Sequence, residues 1–218
     1  MEKNQRFYGF SDGAGLTTGY STISRKLLNY LNDYGWECHF LSHTGNHQTY
    51  MPGVKLEDGE EFKFYLHGSG MQPYCQDIIM PKIREIKPHV FGILLDTFMC
   101  YPWLLNLDFA PAKSLFYFPS DGGGGMPLGC EQILRKMDLT VAMSRYAQKQ
   151  VKDMYGINSE YIPHACLHGD TLVKTPSGDI TIKEIVEKRK YHEVMGYREG
   201  KSVKSKIKEY QTIHVKDN

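Results

Sequence analysis

The opening 41 residues constrain the fold more tightly than any later stretch. Phe7 to Phe10 reads as a short apolar strand that runs into a glycine-rich turn, SDGAGLTTGY (residues 11–20). A helix follows from Ser21 to about Tyr34, because Ile23, Leu27, Leu28, Leu31 and Tyr34 recur at three-to-four spacing and Gly35 ends the pattern. Glu37 to Leu41 is a second strand. Strand, glycine-rich turn, helix and strand together make a βαβ opening, the entry to an open α/β sheet.

The same alternation continues. Residues 43–70 are rich in Gly, His and polar groups, with a strand expected at Phe62 to Leu66. Pro81 to Ile86 belongs to a helix that stops before Pro88, and Val90 to Leu95 is a nearly continuous apolar strand, the pattern of a strand buried on both faces. Further strands are expected at Ser114 to Phe118, Leu139 to Met143 and Glu160 to Ile162. Helices near Cys130 to Met137 and from Ser144 to Tyr155 separate them, with a flexible SDGGGG loop at 120–125. Strands and helices at this interval predict an α/β, Rossmann-like, doubly wound parallel sheet.

After Cys166 the texture changes to short β segments. Thr171 to Lys174 and Ile180 to Ile182 flank a Pro176-Ser177-Gly178-Asp179 turn, a brief helix covers Ile182 to Val186, and strands follow at Glu193 to Tyr197 and Tyr210 to Val215. Residues 166–218 contain no Phe and no Trp, and hold 11 Lys+Arg against 8 Asp+Glu, where residues 1–165 hold 15 against 17. Such a tail buries little apolar surface alone. These shifts support two domains, 1–165 and 166–218.

The formal net charge of +1 gives no bulk electrostatic argument for a nucleic-acid or membrane partner. Five widely spaced cysteines, without a C-x-x-C pair, fit reduced thiols better than a disulfide framework or a zinc site, and no metal is expected. The N-terminus lacks an apolar signal region and no apolar run is long enough to span a bilayer, so a cytoplasmic protein without a transmembrane segment is expected.

Three segments in 7–165 carry a resemblance: GLTTGYSTISRKLLNYL (15–31), FYFPSDG (116–122) and DLTVAMSRYAQKQVKDMYGINSEYIPH (138–164). In this order they are similar to the N-terminal, acceptor-side domain of GT-B glycosyltransferases of the group 1, family 4 type, with Ala165 where that family usually has Gly. The resemblance implies a phosphate-approaching loop at Gly15 and Gly19, whose backbone amides and helix N-terminus suit an anion. It implies a cleft lined by Asp121, Ser144 and His164, with Asp121 contacting acceptor hydroxyls or acting as a base. Ser144 is equally a natural helix N-cap, Asp121 a common turn residue and His164 a structural histidine. The nucleotide-sugar donor is expected only with a donor-binding domain in the family's second half, so no cofactor is expected for this chain itself. The acceptor would be a glycan, a lipid or a protein.

Immediately behind YIPHA (161–165) comes CLHGDTLVKTPSGDITIKEIVE (166–187), which resembles the N-terminal splicing block of an intein, a Hint domain. The resemblance implies that Cys166 attacks the carbonyl of Ala165, converting the Ala165–Cys166 amide to a thioester. No Thr-x-x-His block follows; the nearest approach is Thr212-Ile213-His214, and the chain closes on Lys216-Asp217-Asn218 without a His-Asn pair. A complementary C-terminal intein fragment joined to a donor-binding domain is the implied partner. The combined expectation is a transferase precursor, inactive in sugar transfer until joined. The alternative is a non-catalytic Rossmann-like module that binds a glycan or protein and carries an unrelated β tail.

Overall fold

A computed structural model describes residues 5–16, 18–44, 48–55, 61–120, 125–163, 170–189, 193–198 and 201–207. The chain divides into two compact units, Met1–His164 and Ala165–Asn218. The division expected from the sequence lies at 165/166.

In the first unit β1 (Gln5–Ser11) leads through the glycine-rich turn into α1 (Gly19–Asp33), and β2 (Trp36–Ser42) follows. The helix starts at Gly19, two residues before the expected Ser21, because the Thr18 hydroxyl accepts the Ser21 amide at 3.1 Å and caps it. Next come β3 (Val54–Lys55), β4 (Glu61–Phe62), β5 (Tyr65–His67) and α2 (Ile79–Ile86). Then β6 (Val90–Leu94), α3 (Thr97–Cys100), β7 (Lys113–Phe118), α4 (Cys130–Lys136), β8 (Leu139–Ala142), α5 (Arg145–Tyr155) and β9 (Glu160–Tyr161) complete the unit.

Seven strands form one sheet in the order β5-β2-β1-β6-β7-β8-β9. Every pairing in it is parallel. Side-chain alternation along β1 sends Tyr8 and Phe10 into a core shared with Ile79, Ile83, Ile133 and Val151 from α2, α4 and α5. Phe7, on the other face, packs with Leu28 of α1 and with Cys38 and Phe40 of β2. Helices therefore cover opposite faces of the sheet, and the expected doubly wound, Rossmann-like α/β architecture is the one observed.

The strand expected at 62–66 is two strands. Glu61 and Phe62 pair antiparallel with β3, whereas Tyr65 to His67 pairs parallel with β2. The break between them is held from α1 at Lys63: the Lys63 amide donates to Asn29 Oδ1 at 2.9 Å and its ammonium group lies 2.8 Å from Asp33 Oδ1.

The second unit contains the hairpin of β10 (Leu172–Thr175) and β11 (Gly178–Thr181), the helix α6 (Ile182–Lys188), and the hairpin of β12 (Glu193–Arg198) and β13 (Lys201–Lys206). The Thr181 hydroxyl caps α6 by accepting the Glu184 amide at 3.2 Å. Ile185 is the one apolar side chain of this unit that is buried among the described residues. The strand expected at 210–215 lies outside the described residues.

Candidate functional site

In an open parallel sheet, ligands bind outside the carboxyl ends of the strands where the strand order reverses. Here that place is β1, whose chain leaves toward β2 on one side and returns to β6 on the other. The Ser11 hydroxyl ties the two carboxyl ends together by donating to the Leu94 carbonyl at 2.6 Å.

Asp12 follows directly. Its Oδ2 accepts from the Thr18 hydroxyl at 2.8 Å and its Oδ1 pairs with His43 Nε2 at 2.9 Å. The hydrogen bond from His43 outweighs burial and, with the Thr18 bond, holds the Asp12 carboxyl below the ordinary carboxylate range. Asp12 is therefore ionised at neutral pH and can only accept, so His43 carries its proton on Nε2. In the neutral imidazole this leaves the Nδ1 lone pair, and Nδ1 has no hydrogen-bond partner among the described residues. The two side chains are 6% (His43) and 17% (Asp12) exposed.

Aromatic groups frame the imidazole. Phe10 lies 5.9 Å from it and Tyr74 5.5 Å, centroid to centroid, and Tyr74 in turn lies parallel to Trp103. Tyr74 and Cys75 both have φ of 55°, in the left-handed region, which costs non-glycine residues about 1–3 kcal/mol each. Local bonds hold them there. The Cys75 thiol donates to the Ser42 carbonyl at 3.3 Å, and Asp77 accepts the Met71 and Gln72 amides at 2.9 and 3.2 Å. Burial raises the Cys75 pKa, so this group stays a thiol.

The turn between β1 and α1 is fixed from within. Buried Arg25 donates to the carbonyls of Ala14 at 2.9 Å and Leu16 at 3.2 Å, and the Ser21 hydroxyl donates to the same two oxygens. Close approach in this turn falls at Gly13, where a Cβ would stand 2.3 Å from the Thr44 carbonyl. Gly15 is exposed with open space around its missing Cβ, and Gly19 is the exposed first residue of α1. Both expected glycines thus lie on the open side of the turn that Asp12 begins.

Ser144 is the N-cap of α5: its hydroxyl accepts the Ala147 amide at 3.0 Å. It stands at the same sheet edge as Asp12 but three strands away, since β8 is separated from β1 by β6 and β7. Asp121, His164, Ala165 and Cys166 lie outside the described residues.

The sequence reading missed Asp12 and His43. The usable signal is position: each stands just past the end of a strand, and Ser11 and Ser42 are register partners in adjacent parallel strands. A second polar cluster crosses β2 and β5. Glu37 Oε1 lies 2.9 Å from His39 Nε2, and His39 Nδ1 lies 3.0 Å from His67 Nε2.

Among the described residues no group of three or more His, Cys, Asp or Glu side chains is placed to hold a metal ion. No helix there is long and apolar enough to cross a membrane. No protein-family model and no curated protein matches the chain.

Proposed function

We propose that residues 1–165 are the N-terminal, acceptor-side domain of a sugar-nucleotide-dependent GT-B glycosyltransferase, and that residues 166–218 are the N-terminal segment of an intein. One observation carries this reading: the chain divides into compact units at His164–Ala165, beside the peptide where the Cys-Leu-His-Gly-Asp-Thr run begins. The parallel sheet, whose last strand β9 precedes that point, and the reversal of strand order at β1 support the transferase half.

On this reading Cys166 is the nucleophile of an N–S acyl shift. Its sulfur bonds to the Ala165 carbonyl carbon, the carbon–nitrogen bond to Cys166 breaks, and the nitrogen leaves as a protonated amine. A complementary segment supplies the Thr-x-x-His block and the terminal Asn, then a Cys, Ser or Thr that joins to Ala165. The joined product gains the donor-binding domain and, with it, the nucleotide-sugar site.

The test is thiol-induced cleavage followed by mass spectrometry. Excess small thiol should release residues 1–165 as a thioester and 166–218 with a free amine, and Cys166→Ala should abolish both species. Equal silence from wild type and Cys166→Ala would leave a Rossmann-like binding module with a β tail.

A further inference from the structure

We propose that His43, oriented by Asp12, is the hydroxyl-accepting group of a saccharide subsite at the carboxyl end of β1 and β2. The inference rests on the reading of this unit as the acceptor side of a sugar transferase and names a contact for that acceptor.

Three features meet here. The Asp12 carboxylate fixes the imidazole through Nε2, so the lone pair of Nδ1 is the ring's remaining acceptor. An imidazole locked by a carboxylate on one nitrogen is pre-organised to accept on the other, which lowers the cost of ordering it when ligand binds. Tyr74, partly exposed and 5.5 Å from the ring, offers the apolar face that the carbon skeleton of a sugar packs on. It does so from a left-handed backbone, strain of the kind that accumulates at ligand clamps.

A polar acceptor and an aromatic neighbour suit a neutral, polyhydroxylated ring better than a nucleotide phosphate, because Asp12 is negative and repels anions.

The discriminating variant is His43→Lys. An ammonium group can keep the donor to Asp12 and has no acceptor, so the lock survives and the contact does not. The full chain is titrated by amide NMR with methyl α-glucoside, methyl α-mannoside, methyl β-galactoside and N-acetylglucosamine, following Gly13 and Tyr74. For at least one probe we expect saturable shifts in wild type and about tenfold weaker binding in His43→Lys, the loss of roughly one hydrogen bond. Tyr74→Leu, which leaves the dyad intact, should weaken the same probe and serves if His43→Lys is unstable. Equal affinity in wild type and both variants overturns the inference but leaves the transferase reading standing. Absence of any saturable shift in the loops at the carboxyl edge, with all four probes, overturns both.

Discussion

His67 shows how one residue can make the fold answer to pH. Burial, then the neighbouring charge of His39 and Lys82, lowers its pKa to about 4, against an opposing pull from Glu85. Burial also lowers the pKa of His39, whose Nδ1 faces His67 Nε2. Glu37 accepts from His39 Nε2, which leaves His39 Nδ1 to accept from His67 Nε2, so the neutral imidazole pair passes hydrogen bonds in one direction. The unfolded chain takes up protons near pH 6.5 and the folded chain does not. Stability from this cluster is therefore whole above about pH 6.5 and falls as the pH drops toward about 4. Urea midpoints measured across that window should decline in wild type. In His67→Gln the slope should flatten by up to about one proton per molecule. An unchanged slope would show that His67 keeps its ordinary affinity for protons in the fold.

At the scale of the element, the centre of the sheet depends on a missing side chain. Gly9 and Gly92 are register partners in β1 and β6, and a Cβ on Gly92 would stand 2.4 Å from Cζ of Phe7. The Phe7 ring lies over the adjoining strand and is itself 8% exposed, so it has little room to yield. Gly92→Ala should destabilise the unit by about 1–3 kcal/mol, read as a lower denaturation midpoint. Phe7→Leu in the same chain should recover part of the loss, and additive effects would disprove the clash. The strand carrying Gly92 was legible in the sequence, because a continuous apolar run between turn signals has few alternatives. So was α5, with Ser144 to cap it and regular apolar spacing behind. Lys201–Lys206 was not legible: all its residues but Val203 are polar, and pairing with β12, rather than burial, makes it a strand. The two-residue strands β3 and β4 carry no periodicity at all. Asp12 and His43 were illegible for a different reason, since they are 31 positions apart and meet only through the β1–β2 register.

At the scale of the molecule, the two units differ in what holds them together. The first has cores on both faces of a seven-stranded sheet. The second has Ile185 alone as a buried apolar side chain among the described residues. Expressed separately, residues 1–164 should keep native circular dichroism and melt cooperatively, while residues 165–218 should give the spectrum of an unfolded chain. Cooperative melting of the shorter piece would contradict this division of stability. The parallel sheet also sets a timetable. Ser11 and Leu94, bonded across β1 and β6, are 83 positions apart. At ribosomal rates of 5–20 residues per second, roughly 4 to 17 seconds separate their synthesis. For that interval the strand destined for the middle of the sheet has at least one unpaired edge, so nascent chains that stall before residue 94 present a template for wrong pairing.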